Sequence, residues 1–280
     1  MMAAGRARWM VSACLWLTLF VCCVYLFLPT GRINGAIDRI LSDGGFRLTP
    51  AAHKTLLPGL AWKSPQLSSG QGPLIGFARL EIRPLLSRLL AGRVAVGAEA
   101  VQEAGGRLSL EYSRGGSNRV LLGAEQLQLK DIPFFKTVLG GAVSGTLRGE
   151  GFAETGKQGW NGEFRVEMSA LEYSGVKMGG IALPDAAGLQ SKGMVRIADG
   201  RARLESFTLQ GEGVYMRLSG DLPAGGNPAA APLNLTLEIM PKPDFLERQK
   251  LVFLLLAKFM ASPGVYRIPI TGTILNPHII

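Results

Sequence analysis

Met194–Leu222, MVRIADGRARLESFTLQGEGVYMRLSGDL, is the stretch that decides the fold. Met194–Ala198 is a short apolar-biased run closed by Asp199-Gly200. Asp-Gly between two such runs is the strongest short-range hairpin signal, because a type I′ turn needs positive φ at both central positions. The next run places Ala202 and Leu204 on one face, then Phe207 and Leu209, so the alternation slips near Glu205-Ser206. One extra residue there reads as a β-bulge, which bends a strand and increases its twist. After Gly211-Glu212-Gly213, Val214, Met216 and Leu218 share one face while Tyr215, Arg217 and Ser219 share the other. The pattern predicts three antiparallel strands in a meander with one apolar face.

Most of the chain repeats this grammar. With 280 residues it can bury a real core, as one large domain or two small ones. Glycine is abundant (37) and charged residues make up only 18%, which suits a β protein with many turns and argues against disorder. The formal net charge is +9, yet lysine and arginine are spread along the chain with no dense basic block. A nucleic-acid groove wants clustered basic residues interleaved with aromatics, so no nucleic-acid partner is expected. A solvated basic surface, or attraction to an anionic membrane, accounts for the charge. Cys14, Cys22 and Cys23 are the only cysteines, so a zinc site or a cysteine-dependent enzyme is excluded beyond Tyr25. The body of the chain carries no disulfide and tolerates an oxidising compartment without exploiting one.

Trp9–Leu28, WMVSACLWLTLFVCCVYLFL, holds no charge over 20 residues, the length of a bilayer span. Trp9, Trp16, Phe20, Tyr25 and Leu28 are its anchor residues, with Trp9 and Tyr25 near the ends where amphipathic rings prefer the interface. Arg6, Arg8 and the α-amino group precede it, and Arg32 and Arg39 follow, which leans towards a cytoplasmic N-terminus. A cleaved signal peptide would have a shorter apolar region and an A-x-A-like site after it; Phe27-Leu28-Pro29-Thr30 is a poor substitute. Val11-Ser12-Ala13-Cys14 resembles a lipoprotein box but sits before the apolar core. The reading is a stub over 1–8, a transmembrane anchor over 9–28, a helix and linker over 29–50, and a β domain over 51–280. Within 29–50, Ile33, Ile37, Ile40 and Leu41 fall at helical spacing until Gly44-Gly45 stops them.

An internal comparison sets LEIRPLLSRLLAGRV (Leu80–Val94) against LKDIPFFKTVLGGAV (Leu129–Val143). Pro84 aligns with Pro133, 49 residues apart, and Gly92 with Gly141. Proline at the start and glycine past the end bracket a two-turn helix in each copy, so a strand–short helix–strand unit recurs, with strands over Gly106–Tyr112 and Val120–Leu129 between. Later strands are expected at AVSGTLRGEG, over Gly162–Glu172, through the meander, and over Leu233–Met240; GGNPAAAP (225–232) is a surface loop. Phe245–Met260, FLERQKLVFLLLAKFM, has helical length, and its uncharged centre between Lys250 and Lys258 is too short to span a bilayer. It reads as a core or capping helix, or secondly as a membrane-surface helix. VYRIPITGTILNPHII closes the chain as a strand pair.

Catalytic signatures fail on inspection. Gly151–Lys157 follows G-x-x-x-x-G-K, but Gln158 stands where a P-loop needs Ser or Thr and no helix follows, so a hairpin loop is expected. Gly145, Gly149 and Gly151 lie in a β context and make no dinucleotide fingerprint. His53 and His278 are the only histidines, neither beside a nucleophile motif, and carboxylates occur singly along strand faces. The sequence argues against an enzyme and offers no cofactor or metal ligands.

The single anchor, the two Pro-h-h-x-x-h-h-[AG]-Gly units, the Met194–Leu222 meander and the closing IPITGTILNPH resemble the periplasmic β domains of AsmA-like proteins. The whole layout, with its early LLPGL and terminal G-T-[IL]-x-N-P, is similar to the type II secretion system protein N (GspN) family in the form carrying an AsmA-like domain. The resemblance spans nearly the full length through structural positions: Pro84, Gly92, Pro133, Gly141, Asp199, Gly200, Gly272 and Pro277. It implies a mainly β fold, one transmembrane helix followed by a twisted, curved antiparallel sheet forming a half-open groove or barrel with a few short helices. It implies a single-pass bacterial inner-membrane protein with its bulk in the periplasm. There it would serve as an accessory or assembly component of the type II secretion apparatus, contacting the secretin or inner-membrane platform. The alternative it implies is an AsmA-like lipid-binding or lipid-transfer protein taking phospholipid in an apolar β groove.

Overall fold

The structure, a computed structural model, describes residues 16, 30–55, 58–90, 92–223 and 229–279. The anchor residues Trp9, Phe20, Tyr25 and Leu28, with the run that holds them, lie outside the described residues. Trp16 is helical and exposed. Among the described residues no helix is long and apolar enough to cross a membrane.

The chain is mainly β with a large antiparallel sheet. Helix α1 (Thr30–Asp43) leads into β1 (Phe46–Thr49), so the stretch expected as a linker is a strand. Then follow β2 (His53–Lys54), β3 (Leu60–Lys63), β4 (Gln66–Ser69), β5 (Gly72–Gly76) and β6 (Arg79–Pro84). Helix α2 (Leu86–Leu90) joins β6 to β7 (Val94–Val101), after which come β8 (Arg107–Arg114) and β9 (Asn118–Gln128). A 3-10 turn (Leu129–Asp131) and α3 (Phe134–Leu139) lead to β10 (Ala142–Thr155) and β11 (Trp160–Ser174). A small hairpin, β12 (Lys177–Met178) and β13 (Ile181–Ala182), precedes β14 (Ala186–Ala198), β15 (Arg201–Gln210), β16 (Val214–Leu222) and β17 (Asn234–Pro241). Helices α4 (Pro243–Arg248) and α5 (Lys250–Leu255) and a second 3-10 turn (Ala257–Phe259) lead to β18 (Met260–Ser262), β19 (Val265–Thr273) and β20 (Asn276–Ile279).

Fifteen strands form one sheet in the order β18-β19-β17-β16-β15-β14-β11-β10-β9-β8-β7-β6-β3-β2, with β20 also pairing β19. Nearly every neighbour in space is a neighbour in sequence, as expected when short turns make each connection. β1, β4 and β5 form a separate three-stranded sheet, which α3 contacts through the Thr137 hydroxyl donating to the Pro73 carbonyl at 2.7 Å. Asn34 on α1 binds the Ala52 backbone both ways, at 3.1 and 3.2 Å.

The central meander forms as read. Ala198 pairs with Arg201 across Asp199-Gly200, whose φ values of 52° and 75° are those of a type I′ turn. Met194 opposes Ser206 while Val195 opposes Leu204, so Glu205 is the extra residue of a bulge, and its carboxylate pairs with Arg196 at 2.9 Å. The Gly151–Lys157 stretch ends β10 and enters the β10–β11 hairpin loop, as expected.

Two expectations need correction. The repeat is present, with α2 and α3 at opposite ends of the strands, because β6 and β9 lie three strands apart and run in opposite directions, but its second glycine does not end the helix. The left-handed glycine after α3 is Gly140 (φ 65°), one residue before Gly141, whereas Gly92 (φ 71°) holds the matching place after α2. Gly141 serves a different end: a Cβ there would lie 2.6 Å from Val176 Cγ2. Phe245–Met260 is also not one helix. Gln249 leaves helical geometry (φ −120°, ψ 33°), its Oε1 accepting from the Asp185 amide and its Nε2 donating to the Asp185 carbonyl. That break turns both Phe245 and Phe253 onto the core, edge to face at 6.1 Å.

Two glycines in the sheet sit beneath cross-strand aromatics, Gly151 under Phe164 and Gly193 under Phe207. Gly193 pairs with Phe207, and a Cβ on Gly193 would fall 2.5 Å from Phe207 Cδ2, with no backbone atom in the way. Gly193→Ala should therefore lower stability by about 1–2 kcal/mol in the wild type and be near neutral in a Phe207→Ala background. Urea midpoints of the four members of this cycle measure the coupling, and an additive pair would refute the packing argument.

Candidate functional site

Residues directly opposite across antiparallel strands share a face, so register alone fixes what each side of the sheet presents. One row runs Trp62, Leu80, Ala100, Leu108, Ala124, Gly149, Val166, Gly193, Phe207, Leu218, Leu237, Ile268 without a polar side chain. The next row on that face runs Leu60, Ile82, Ala98, Leu110, Leu122, Gly151, Phe164, Val195, Leu204, Gly220, Leu235, Ile270, Ile279. The opposite face carries Glu81, Glu99, Glu150, Arg165, Thr208, Arg217, Glu238 and Arg267. Its ion pairs include Arg79–Glu81, Arg83–Glu99 at 3.4 Å, Lys192–Glu167 at 3.4 Å and Arg267–Glu238 at 2.9 Å, all solvent-facing and worth little each.

The apolar face is not equally covered. Leu204, Leu235, Leu237, Ile239, Ile268, Ile270 and Ile279 are buried, packed with Phe245, Phe253 and Leu256 from the α4–α5 segment. Towards β6–β9 the same face is only partly covered: Trp62, Ala100 and Ala124 are buried, but Ile82, Val96, Ala98, Tyr112, Val120 and Leu122 are half-buried, Leu110 is 39% exposed and Val94 59%. This apolar expanse is the candidate site.

Beside it, below α3, lies a cleft of about 680 Å³ lined by Lys130, Asp131, Phe135, Lys136, Tyr173 and Asp185 among others. The Tyr173 hydroxyl donates to the Met216 sulfur at 3.2 Å. Burial, and after it the Asp185 carboxylate, raises the Tyr173 phenol well above its ordinary value of 10.0. Among the described residues no group of three or more His, Cys, Asp or Glu could hold a metal. His53 and His278 are both exposed.

The structural positions singled out in the sequence do not converge on one place. Pro84 ends β6, and Pro133 with Gly141 edges the cleft. Asp199 and Gly200 meet the β10–β11 turn, where the Asp199 amide donates to Asn161 Oδ1 and the Gly200 amide to the Trp160 carbonyl. Gly272 pairs with Pro277 at the last turn. Sequence reading missed Gln102, which is buried and bonds both the amide and carbonyl of Gln128, fixing the start of the 3-10 turn. It also missed Tyr173; the alternation of Leu171 with Tyr173, out of step with Val166 and Met168, was the available signal. No family model matches the chain, and neither a curated protein nor a solved structure matches it.

Because the folded pKa of Tyr173 is raised, its contribution to stability is complete below the unfolded value of 10.0 and is lost as pH rises above it. Between pH 8 and 11 the wild type should lose about 1 kcal/mol more than Tyr173→Phe, read from urea midpoints. Equal losses would show that the phenol ionises freely in the folded state.

Proposed function

We propose that this chain is a membrane-anchored, periplasm-facing accessory component of the type II secretion apparatus that works by binding rather than by catalysis. The observation that carries the reading is that the motifs of the resemblance fall at the joints of one continuous sheet. The Pro-containing units start its short helices, Asp199-Gly200 makes its central turn, and Gly272 faces Pro277 at its end. Partner binding by strand addition is disfavoured, because the outermost strands β2, β18 and β20 are two, three and four residues long. The faces of the sheet are the contact surfaces. Crosslinking in cells followed by purification should recover the secretin or inner-membrane platform subunits; recovery of neither would remove this reading.

A second reading, an AsmA-like lipid carrier with a half-open groove, is favoured by the half-exposed apolar rows. A further observation supports the groove: the β12–β13 hairpin packs against β20, with a Cβ on Gly179 falling 2.8 Å from His278 Cβ. β20 lies five strands beyond β14 in the sheet, so that half of it must roll around its apolar side. Phospholipid should then co-purify with the full chain in native mass spectrometry. Leu110→Glu, a charge set into the open rows, should lower the lipid-bound fraction by about tenfold or more. Wild-type protein that releases all lipid would end this second reading.

A further inference from the structure

The α4–α5 segment presents two opposite faces. Phe253 (3% exposed) and Leu256 (0%) close the core, while Leu251, Leu254 and Leu255 stand out at 78%, 69% and 65%. Spacing of i, i+3 and i+4 puts these three leucines on one stripe of α5, directed away from the protein. Met260, the first residue of β18 after the following 3-10 turn, is 48% exposed as well. Nothing in the packing requires leucine there, since charged residues would keep the outward face soluble at no cost to the core. Around the stripe stand Lys242, Arg248, Lys250 and Lys258 against only Asp244 and Glu247, all exposed. Lys258 is exposed, and its Nζ lies 4.6 Å from the centre of the Phe259 ring, a cation–π contact that holds a positive charge beside apolar surface.

We infer that α5 and the turn after it form a membrane-docking tip that inserts Leu251, Leu254, Leu255 and Met260 among the acyl chains of an anionic bilayer surface, with Lys250 and Lys258 on its headgroups. Apolar side chains ringed by lysine are what an interfacial segment requires, and each basic residue near an anionic surface adds to the attraction. The dimensions favour a bilayer over a protein. Lys250–Leu255 rises about 9 Å at ~1.5 Å per residue, a stripe well short of the ~800 Å² per partner that a stable protein interface buries. The tip is separate from the apolar rows of the sheet and does not depend on the secretion reading.

The test is hydrogen exchange of the full chain reconstituted in nanodiscs of phosphatidylcholine alone or with added phosphatidylglycerol. Peptides covering 250–260 should exchange about tenfold more slowly in the anionic discs, with β14–β16 unchanged. The difference should vanish in Leu251→Ser/Leu254→Ser/Leu255→Ser and, with every apolar residue retained, in Lys250→Glu/Lys258→Glu. Equal exchange in the two lipids overturns the inference. So does protection that rises with protein concentration whatever the lipid, because that would assign the patch to a second copy of the chain.

Discussion

Everything in this protein depends on holding one face of a fifteen-stranded sheet apolar from strand to strand. Side chains alternate with a period of two, so a single-residue slip at any of these pairings would turn one strand's leucines to water and its arginines to the core. A sheet this wide accumulates twist, and strict alternation cannot be kept along strands of up to 15 residues without correction. The chain corrects it with extra residues. Gln126 is extra in β9, Ala170 in β11, Gly188 in β14 and Glu205 in β15. At each, the apolar positions in the sequence change phase in step: Val120, Leu122 and Ala124 give way to Leu127 and Leu129, and Val166 and Met168 to Leu171 and Tyr173. Gln126 (φ 50°) and Ala170 (φ 49°) adopt left-handed backbone to do so, a cost of about 1 kcal/mol each that the surrounding ladder must offset.

The antiparallel meander was legible because its signals are local. Asp199-Gly200 names its own turn, and the phase change at Glu205 announces a bulge through alternation alone. The same phase rule applied to Val120–Leu129 and Val166–Tyr173 would have found two more bulges. No glycine marks either one, because the left-handed residues are Gln126 and Ala170. The repeat was legible as sequence but not as placement, since the end of the sheet a unit occupies depends on the parity of the intervening strands. What could not be read locally was set by distant partners. Gln249 breaks the α4–α5 segment because its amide group clamps Asp185, 64 residues away. Gly141 is glycine because Val176 lies above it, not because a helix ends there.

The open apolar face was foreseeable in kind but not in extent. Apolar alternation says that one side of each strand avoids water; it does not say whether a helix covers that side. Coverage here follows the C-terminal segment, where Phe245, Phe253 and Leu256 close over β16, β17 and β19. Towards β6–β10 the inward positions include Ala98, Ala100, Ala124, Ala153, Gly149 and Gly151. Ala100, Ala124 and Ala153 are themselves buried, so the surface left exposed in this half belongs to larger neighbours such as Ile82, Leu110 and Leu122.

That asymmetry bears on how such a sheet can act. If the apolar rows were simply the core of a self-contained domain, the side chains should be bulkiest where no other element supplies volume. Bulk does not follow that rule: in the less covered half Ala98, Ala100 and Ala124 alternate with the large side chains of Ile82, Leu108, Leu110 and Leu122. The large residues among them keep part of their surface exposed, while the alanines between them are buried or half-buried. On the polar side, Arg83–Glu99, Lys192–Glu167 and Arg267–Glu238 pair across neighbouring strands. Which apolar side chains keep surface exposed is thus set by register, strand by strand, and by how far the C-terminal segment reaches across the face.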